Sequence, residues 1–203
     1  MKNTMNCKKI SEIFLYLTFF SLLISTAVAN FAIIFAVTFG LISLISNQES
    51  TKYFIKNKIS ILAISLFFML FISIFYSVAQ LEESLFLLKK YVKFLFIPVI
   101  IYILKDSLVR VKILNLFILS GSIILLMSYL KYMDLFYPSQ VSEFFNIEYN
   151  NKLRSGVTIF QHSIIHGVLF SFFSFIVFIK AKIHNNFFYY FLSFLGFFNV
   201  LFM

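Results

Sequence analysis

The stretch IFLYLTFFSLLISTAVANFAIIFAVTFGLISLIS, Ile13–Ser46, runs for 34 residues without a charge. About 20 such residues suffice for a helix to cross the hydrocarbon core of a bilayer. One span cannot use up the run, but two can share it if the chain reverses in the polar, small-residue middle at Ser25–Asn30. Backbone N–H and C=O groups in hydrocarbon must pair within their own segment, which makes each crossing helical. The expected class is therefore all-α, a polytopic integral membrane protein, with its first two spans near 11–28 and 31–46.

The whole chain has the same character. Its 203 residues are 61% hydrophobic and only 12% charged, against about 25% charged in soluble domains. A net charge of +9 would suggest nucleic acid in a soluble protein. Here the cations sit in short connectors between apolar runs, where they set orientation instead, so no nucleic-acid partner is expected. Cys7 is the single cysteine, which excludes an intrachain disulfide and a thiolate metal cage. No cofactor and no metal are expected. The opening also reads as a secretory leader, with Ala27-Val28-Ala29 as its cleavage motif. The residues after that motif form a further apolar span rather than a soluble domain, so retention of the leader as a span is expected.

Five more spans are expected near 59–79, 86–104, 113–130, 163–179 and 187–203, for a total of about seven (six to seven) in one transmembrane helical domain, 1–203. The fourth is the shortest in apolar content. Phe94–Leu104 holds only 11 uncharged residues, so this span has to recruit the turns before it, with Lys89, Lys90 and Lys93 near its outer end. If the N-terminus is cytoplasmic, the inner connectors carry 11 of the 17 basic residues and the outer ones six. The bias favours N-in. The outer loop 131–162 then faces away from the cytoplasm.

That loop and its junction, KYMDLFYPSQVSEFFNIEYNNKLRSGVTIFQHSIIH (Lys131–His166), are where polar chemistry is expected. Arg154 is one of two arginines in the chain, and a guanidinium suits bidentate recognition of phosphate. An ordinary loop arginine meeting lipid headgroups is the plainer reading. Lys93 is placed deepest of its cluster and either snorkels to the interface or meets an anionic lipid-linked group. His162 and His166 stand four apart in HSIIH, on one helix face. Position 163 is Ser rather than Glu, so this is not the H-E-x-x-H zinc pattern. A proton-transfer or hydrogen-bonding role suits the two imidazoles better than metal, with a helix entrance marked by polar residues as the plainest reading. Arg154, Lys93, His162 and His166 are the candidate substrate-binding residues, for a diphosphate or lipid headgroup. No catalytic residue is assigned.

The run SIFYSVAQLEESLFLLKKYVKFLFIPVIIYILKD (73–106), then LVRVKILNLFILSGSIILLMSYL (108–130), then GVTIFQHSIIHGVLFSFFSF (156–175) resembles the N-terminal half of O-antigen ligase-like membrane proteins. These are the lipid A core:O-antigen ligases and polysaccharide polymerases of the bacterial inner membrane. The resemblance implies sugar transfer on the periplasmic side, from an undecaprenyl-diphosphate-linked glycan to an acceptor such as the lipid A core. In such a reaction the carrier diphosphate leaves, and arginines together with a base are the groups the chemistry needs. The family's arginine- and histidine-bearing parts have no counterpart among these residues. The chain is therefore expected to be an incomplete member, inactive alone, with a second polypeptide supplying the rest. Two other classes fit the same spans: a non-enzymatic polysaccharide or lipid-carrier transport subunit, and a structural partner of another membrane enzyme. The absence of an acid at mid-membrane in these spans argues against proton-coupled transport.

Overall fold

A computed structural model describes residues 2–46, 57–78, 80–133 and 163–202. The described residues are all-α. The helices are α1 (Lys2–Ser21), α2 (Thr26–Ile45), α3 (Lys58–Ser73), α4 (Leu81–Tyr91), α5 (Phe96–Ile103), α6 (Ser107–Tyr132), α7 (Ser163–His184) and α8 (Phe187–Phe202). A 3₁₀ turn, Ile74–Tyr76, extends α3, and another, Val92–Leu95, joins α4 to α5.

Four helical segments among the described residues are long and apolar enough to cross a membrane: Thr26–Ile45, Lys58–Tyr76, Ser107–Tyr132 and Ile165–His184. They correspond to the expected spans 31–46, 59–79, 113–130 and 163–179. The other three expected spans differ in form. The first reverses early, because Ile24 N–H and Ser25 N–H both turn back onto the Ser21 carbonyl, at 2.9 and 2.7 Å. Ser25 then opens α2, its hydroxyl facing the Val28 N–H at 3.5 Å. Helix α1 thus spends its first three turns on the basic leader, where Lys8 and Glu12 pair at 3.7 Å. The fourth span is broken by Pro98, which has no N–H to give the Phe94 carbonyl and whose ring crowds it. The turn that holds Phe94 tightens to 3₁₀, and the α-helix resumes as α5. The seventh, α8, has 16 residues, about 24 Å of helix against about 30 Å of hydrocarbon.

Contacts gather the chain into two compact units: Met1–Leu15 with Phe31–Val111, and Tyr16–Asn30 with Lys112–Met203. In the first unit, small residues let α1, α2 and α5 approach closely. Ser11 Oγ donates to the Ala36 carbonyl at 2.6 Å. A Cβ at Gly40 would lie 2.7 Å from Val99 Cγ1 and 3.1 Å from both Ile103 Cδ1 and Ser11 Oγ. The hydroxyls of Ser43 and Tyr102 meet at 3.3 Å, and Phe14 stacks on Phe35 and Phe39. Helix α3 is capped by Asn57, whose Oδ1 accepts from Ile59 N–H and Ser60 N–H. At the far end Arg110 donates to the Leu104 and Lys105 carbonyls, at 2.8 and 2.9 Å. These are carbonyls that the end of α5 leaves without an intrahelical partner.

The second unit is built on Phe117, Ile118, Ile124 and Leu125 of α6, Phe170, Phe173 and Val177 of α7, Leu192 of α8, and Leu23 from the reversal after α1. Helices α7 and α8 form a tight antiparallel hairpin. Asn185 adopts φ 45°, and Asn186 N–H reaches back to the Ala181 carbonyl at 3.4 Å. This closes α7 with a left-handed residue and a six-to-one bond. The Asn186 side chain then caps α8, accepting from Phe188 N–H at 2.9 Å. Close approach is bridged by Ser193 Oγ, which donates to the Ser174 carbonyl at 2.9 Å. At Gly196 any Cβ would collide with the Ser174 hydroxyl, and at Gly121 with the ring of Phe173. Small residues at these crossings are what apolar helices need to pack without a hydrophobic drive between them.

Candidate functional site

Within the second unit, the hairpin brings the first turn of α7 level with the last turn of α8, and the last turns of α6 lie beside them. Three polar side chains meet there. The ring nitrogen Nε2 of His166 lies 2.9 Å from Asn199 Oδ1, and Asn199 Nδ2 donates to Ser128 Oγ at 2.8 Å. All three are buried, His166 at 8% exposure, Asn199 at 1% and Ser128 at 0%. Because the Asn199 amide nitrogen is turned to Ser128, its oxygen faces the imidazole and Nε2 is the donor. In the neutral ring this leaves Nδ1 as the acceptor nitrogen. One face of the ring stacks on Phe170, with centroids 4.3 Å apart. Further along the same hairpin, Tyr129 Oη donates to the Leu195 carbonyl at 2.9 Å.

The opposite end of this unit carries a second polar group. Lys180 Nζ donates to Asn115 Oδ1 at 2.6 Å and lies 4.9 Å from the centre of the Tyr189 ring. An ammonium held between an amide and an aromatic face is a satisfied, snorkelled lysine. It anchors the end of α7 that carries Lys182 and His184 in its last turn, where cations suit the helix dipole.

The four candidate residues named from the sequence meet different fates. Arg154 and His162 lie outside the described residues. His166 is inside the second unit, in the hydrogen-bonded triple. Lys93 is in the first unit, exposed on the 3₁₀ turn between α4 and α5. Asn199 and Ser128 are not among the four. A signal for Asn199 does exist, since it is the one amide in the run FFYYFLSFLGFFNVLFM (187–203), and an amide among hydrocarbon side chains seeks a partner on a neighbouring helix. Nothing in the sequence distinguishes Ser128 from the other serines of the spans.

Long apolar helices, small residues at their crossings and buried hydrogen-bonded polar groups at one level define a polytopic helical protein with the make-up of a membrane protein. No family model, no curated protein and no solved structure matches the chain.

Proposed function

We propose that the chain is an O-antigen ligase-like protein of the bacterial inner membrane, with about seven spans and a cytoplasmic N-terminus. In this reading it binds an undecaprenyl-diphosphate-linked glycan on the periplasmic side for transfer to an acceptor such as the lipid A core. The observation that carries the reading is the His166–Asn199–Ser128 triple. It lies at the ends of α6 and α7 from which the polar segment 134–162 departs. A donor-acceptor network held there, on helices fixed by close packing, gives the sugar-bearing end of a lipid-linked substrate a polar floor inside an otherwise apolar bundle. Arg154 supplies the bidentate phosphate donor from that segment. A second polypeptide supplies the acid-base groups of the transfer step.

The reading is tested by photolabelling. In inner-membrane vesicles, a photoreactive undecaprenyl diphosphate is expected to label the chain in preference to the uncharged prenol of equal length, and Arg154→Gln to abolish the preference. Equal labelling by the prenol would overturn it. Transfer is read from ladder-type lipopolysaccharide in a ligase-deficient strain that carries the chain together with a second polypeptide. Carrier labelling without any ladder would favour the transport-subunit alternative.

A further inference from the structure

The end of the second unit that carries Lys180 has no part in the proposed carrier site. Two contacts set the register there. Lys180 of α7 meets Asn115 of α6, and a Cβ at Gly121 of α6 would run into the Phe173 ring of α7. The contacts advance along α6 as they retreat along α7, so the two helices are antiparallel and the first turns of α6 lie level with the last turns of α7. Lys112 is three residues outward of Asn115, about 4.5 Å along the axis, and His184 is four residues outward of Lys180, about 6 Å. Both stretches are ends of candidate membrane spans, Ser107–Tyr132 and Ile165–His184. In a bilayer this is the level where hydrocarbon gives way to headgroups, and a tyrosine such as Tyr189 belongs there.

The Lys180 ammonium is held in place from two sides, by Asn115 Oδ1 at 2.6 Å and by the Tyr189 ring 4.9 Å away. The His184 ring stands on the other side of Tyr189, with centroids 6.5 Å apart. An ammonium has three N–H donors. Asn115 takes one, and no second acceptor meets the group among the described residues. Lys112 is exposed and is a neighbour of Asn115 on the helix surface, being three residues away. At about 100° per residue, Lys112, Asn115, Leu119 and Leu126 fall within about 60° of one another on α6. Leu119 and Leu126 are both exposed, so an apolar track runs down the helix from the polar pair. No Asp or Glu occurs among the described residues of this unit, and none of them neutralises these cations.

We propose that Lys112 and Lys180 hold the phosphate of an anionic phospholipid at this end of the unit, with an acyl chain along Leu119 and Leu126. Lys180 supplies a donor whose position is fixed by Asn115 and Tyr189. Lys112 supplies a second charge on a long side chain that follows the headgroup. Basic sites between transmembrane helices recognise phospholipid headgroups through this combination of charge and fixed donors. The occupant is a lipid rather than a soluble anion because the cations sit at the ends of membrane-length helices and the flank below them is hydrocarbon. Lys182 lies about 200° around α7 from Lys180 and takes no part. The site needs no glycan and no diphosphate carrier, so it stands or falls apart from the ligase-like function.

The test uses the full chain in lipid nanodiscs that hold equal parts of phosphatidylglycerol and phosphatidylcholine with identical acyl chains, with retained lipid counted by native mass spectrometry. Retention of phosphatidylglycerol is expected to exceed that of phosphatidylcholine by about fivefold or more, the factor one lysine contributes near an anionic surface. K112Q/K180Q should bring the ratio close to one. K182Q removes the same charge from the opposite side of α7 and should leave the ratio as it was. Asn115→Leu keeps every charge but releases the Lys180 ammonium, and should lower the ratio. K112Q alone, at an exposed side chain, should lower it too, and it carries the test if K180Q reduces the helical circular dichroism. A wild-type ratio near one overturns the proposal. A loss in K182Q as large as in K180Q, or an unchanged ratio in Asn115→Leu, also overturns it, because the preference would then reflect surface charge in general. Complete displacement of phosphatidylglycerol by inorganic phosphate overturns it as well, since the site would then take a soluble anion.

Discussion

At the scale of single residues, the buried triple sets the largest local stakes. If Asn199 becomes Ala, the His166 N–H loses its acceptor inside the bundle. In a soluble core such an orphaned donor costs about 1–3 kcal/mol. Between apolar helices the measured coupling is smaller, averaging about 0.6 and reaching about 1.7 kcal/mol, because the unfolded chain in a membrane also finds partners. The smaller figure should hold here. A double-mutant cycle of His166→Ala and Asn199→Ala, followed by circular dichroism through an SDS titration, is expected to show a coupling of about 0.6–1.7 kcal/mol. Strict additivity of the two single changes would mean that the 2.9 Å contact contributes nothing. The residue scale is also where sequence reading falls short. HSIIH marks His166 as an interfacial group, but its partners lie 33 and 71 positions apart along the chain, His166 to Asn199 and Asn199 to Ser128. No local pattern joins them.

At the scale of elements, the caps follow from residue chemistry and the breaks from one proline and one early turn. Asn57 before a run of apolar residues, and Asn185-Asn186 between α7 and α8, are side chains that satisfy helix ends or tolerate a left-handed backbone. The hairpin gives a sharp expectation. Asn185→Gly should leave the thermal midpoint of the purified protein unchanged or raise it, since glycine adopts φ 45° without strain. Asn185→Val should lower stability by about 1–2 kcal/mol, the cost of placing a β-branched residue in that region. Equal stability of the two variants would show that the bend does not rest on the conformation of residue 185. Pro98 accounts for the broken fourth span, and it is visible in the sequence. The early reversal after Ser21 is not, because Ser25–Asn30 holds more polar and small residues than Leu22–Ser25 does. In the structure the reversal places Leu23 in the second unit's core.

At the scale of the whole molecule, the exposed surface of the described helices is rich in large apolar side chains, Phe31, Phe68, Phe172, Phe175, Phe194 and Leu201 among them. In water this would be an aggregation surface, and in hydrocarbon it is the matching one. The proposed N-in topology rests on the distribution of lysine, and the native Cys7 offers a direct check because it is the one thiol in the chain and is partly exposed. A membrane-impermeant maleimide is expected to leave Cys7 unmodified in intact spheroplasts and to modify it after permeabilisation. In a Cys7→Ser background, Ser142→Cys should react from outside and Ser50→Cys should not. The reverse pattern would invert the proposed sidedness and remove the proposed periplasmic chemistry with it.

The all-α class and the positions of four membrane-length helices were determined by the sequence alone. A run of uncharged residues longer than a bilayer is thick leaves the backbone no other way to satisfy its hydrogen bonds. Which polar side chains meet was decided only by tertiary structure. Helix formation depends on neighbours three and four positions away, whereas His166, Asn199 and Ser128 come together because glycines and serines on three separate helices let those helices approach closely enough for an amide to reach both ways.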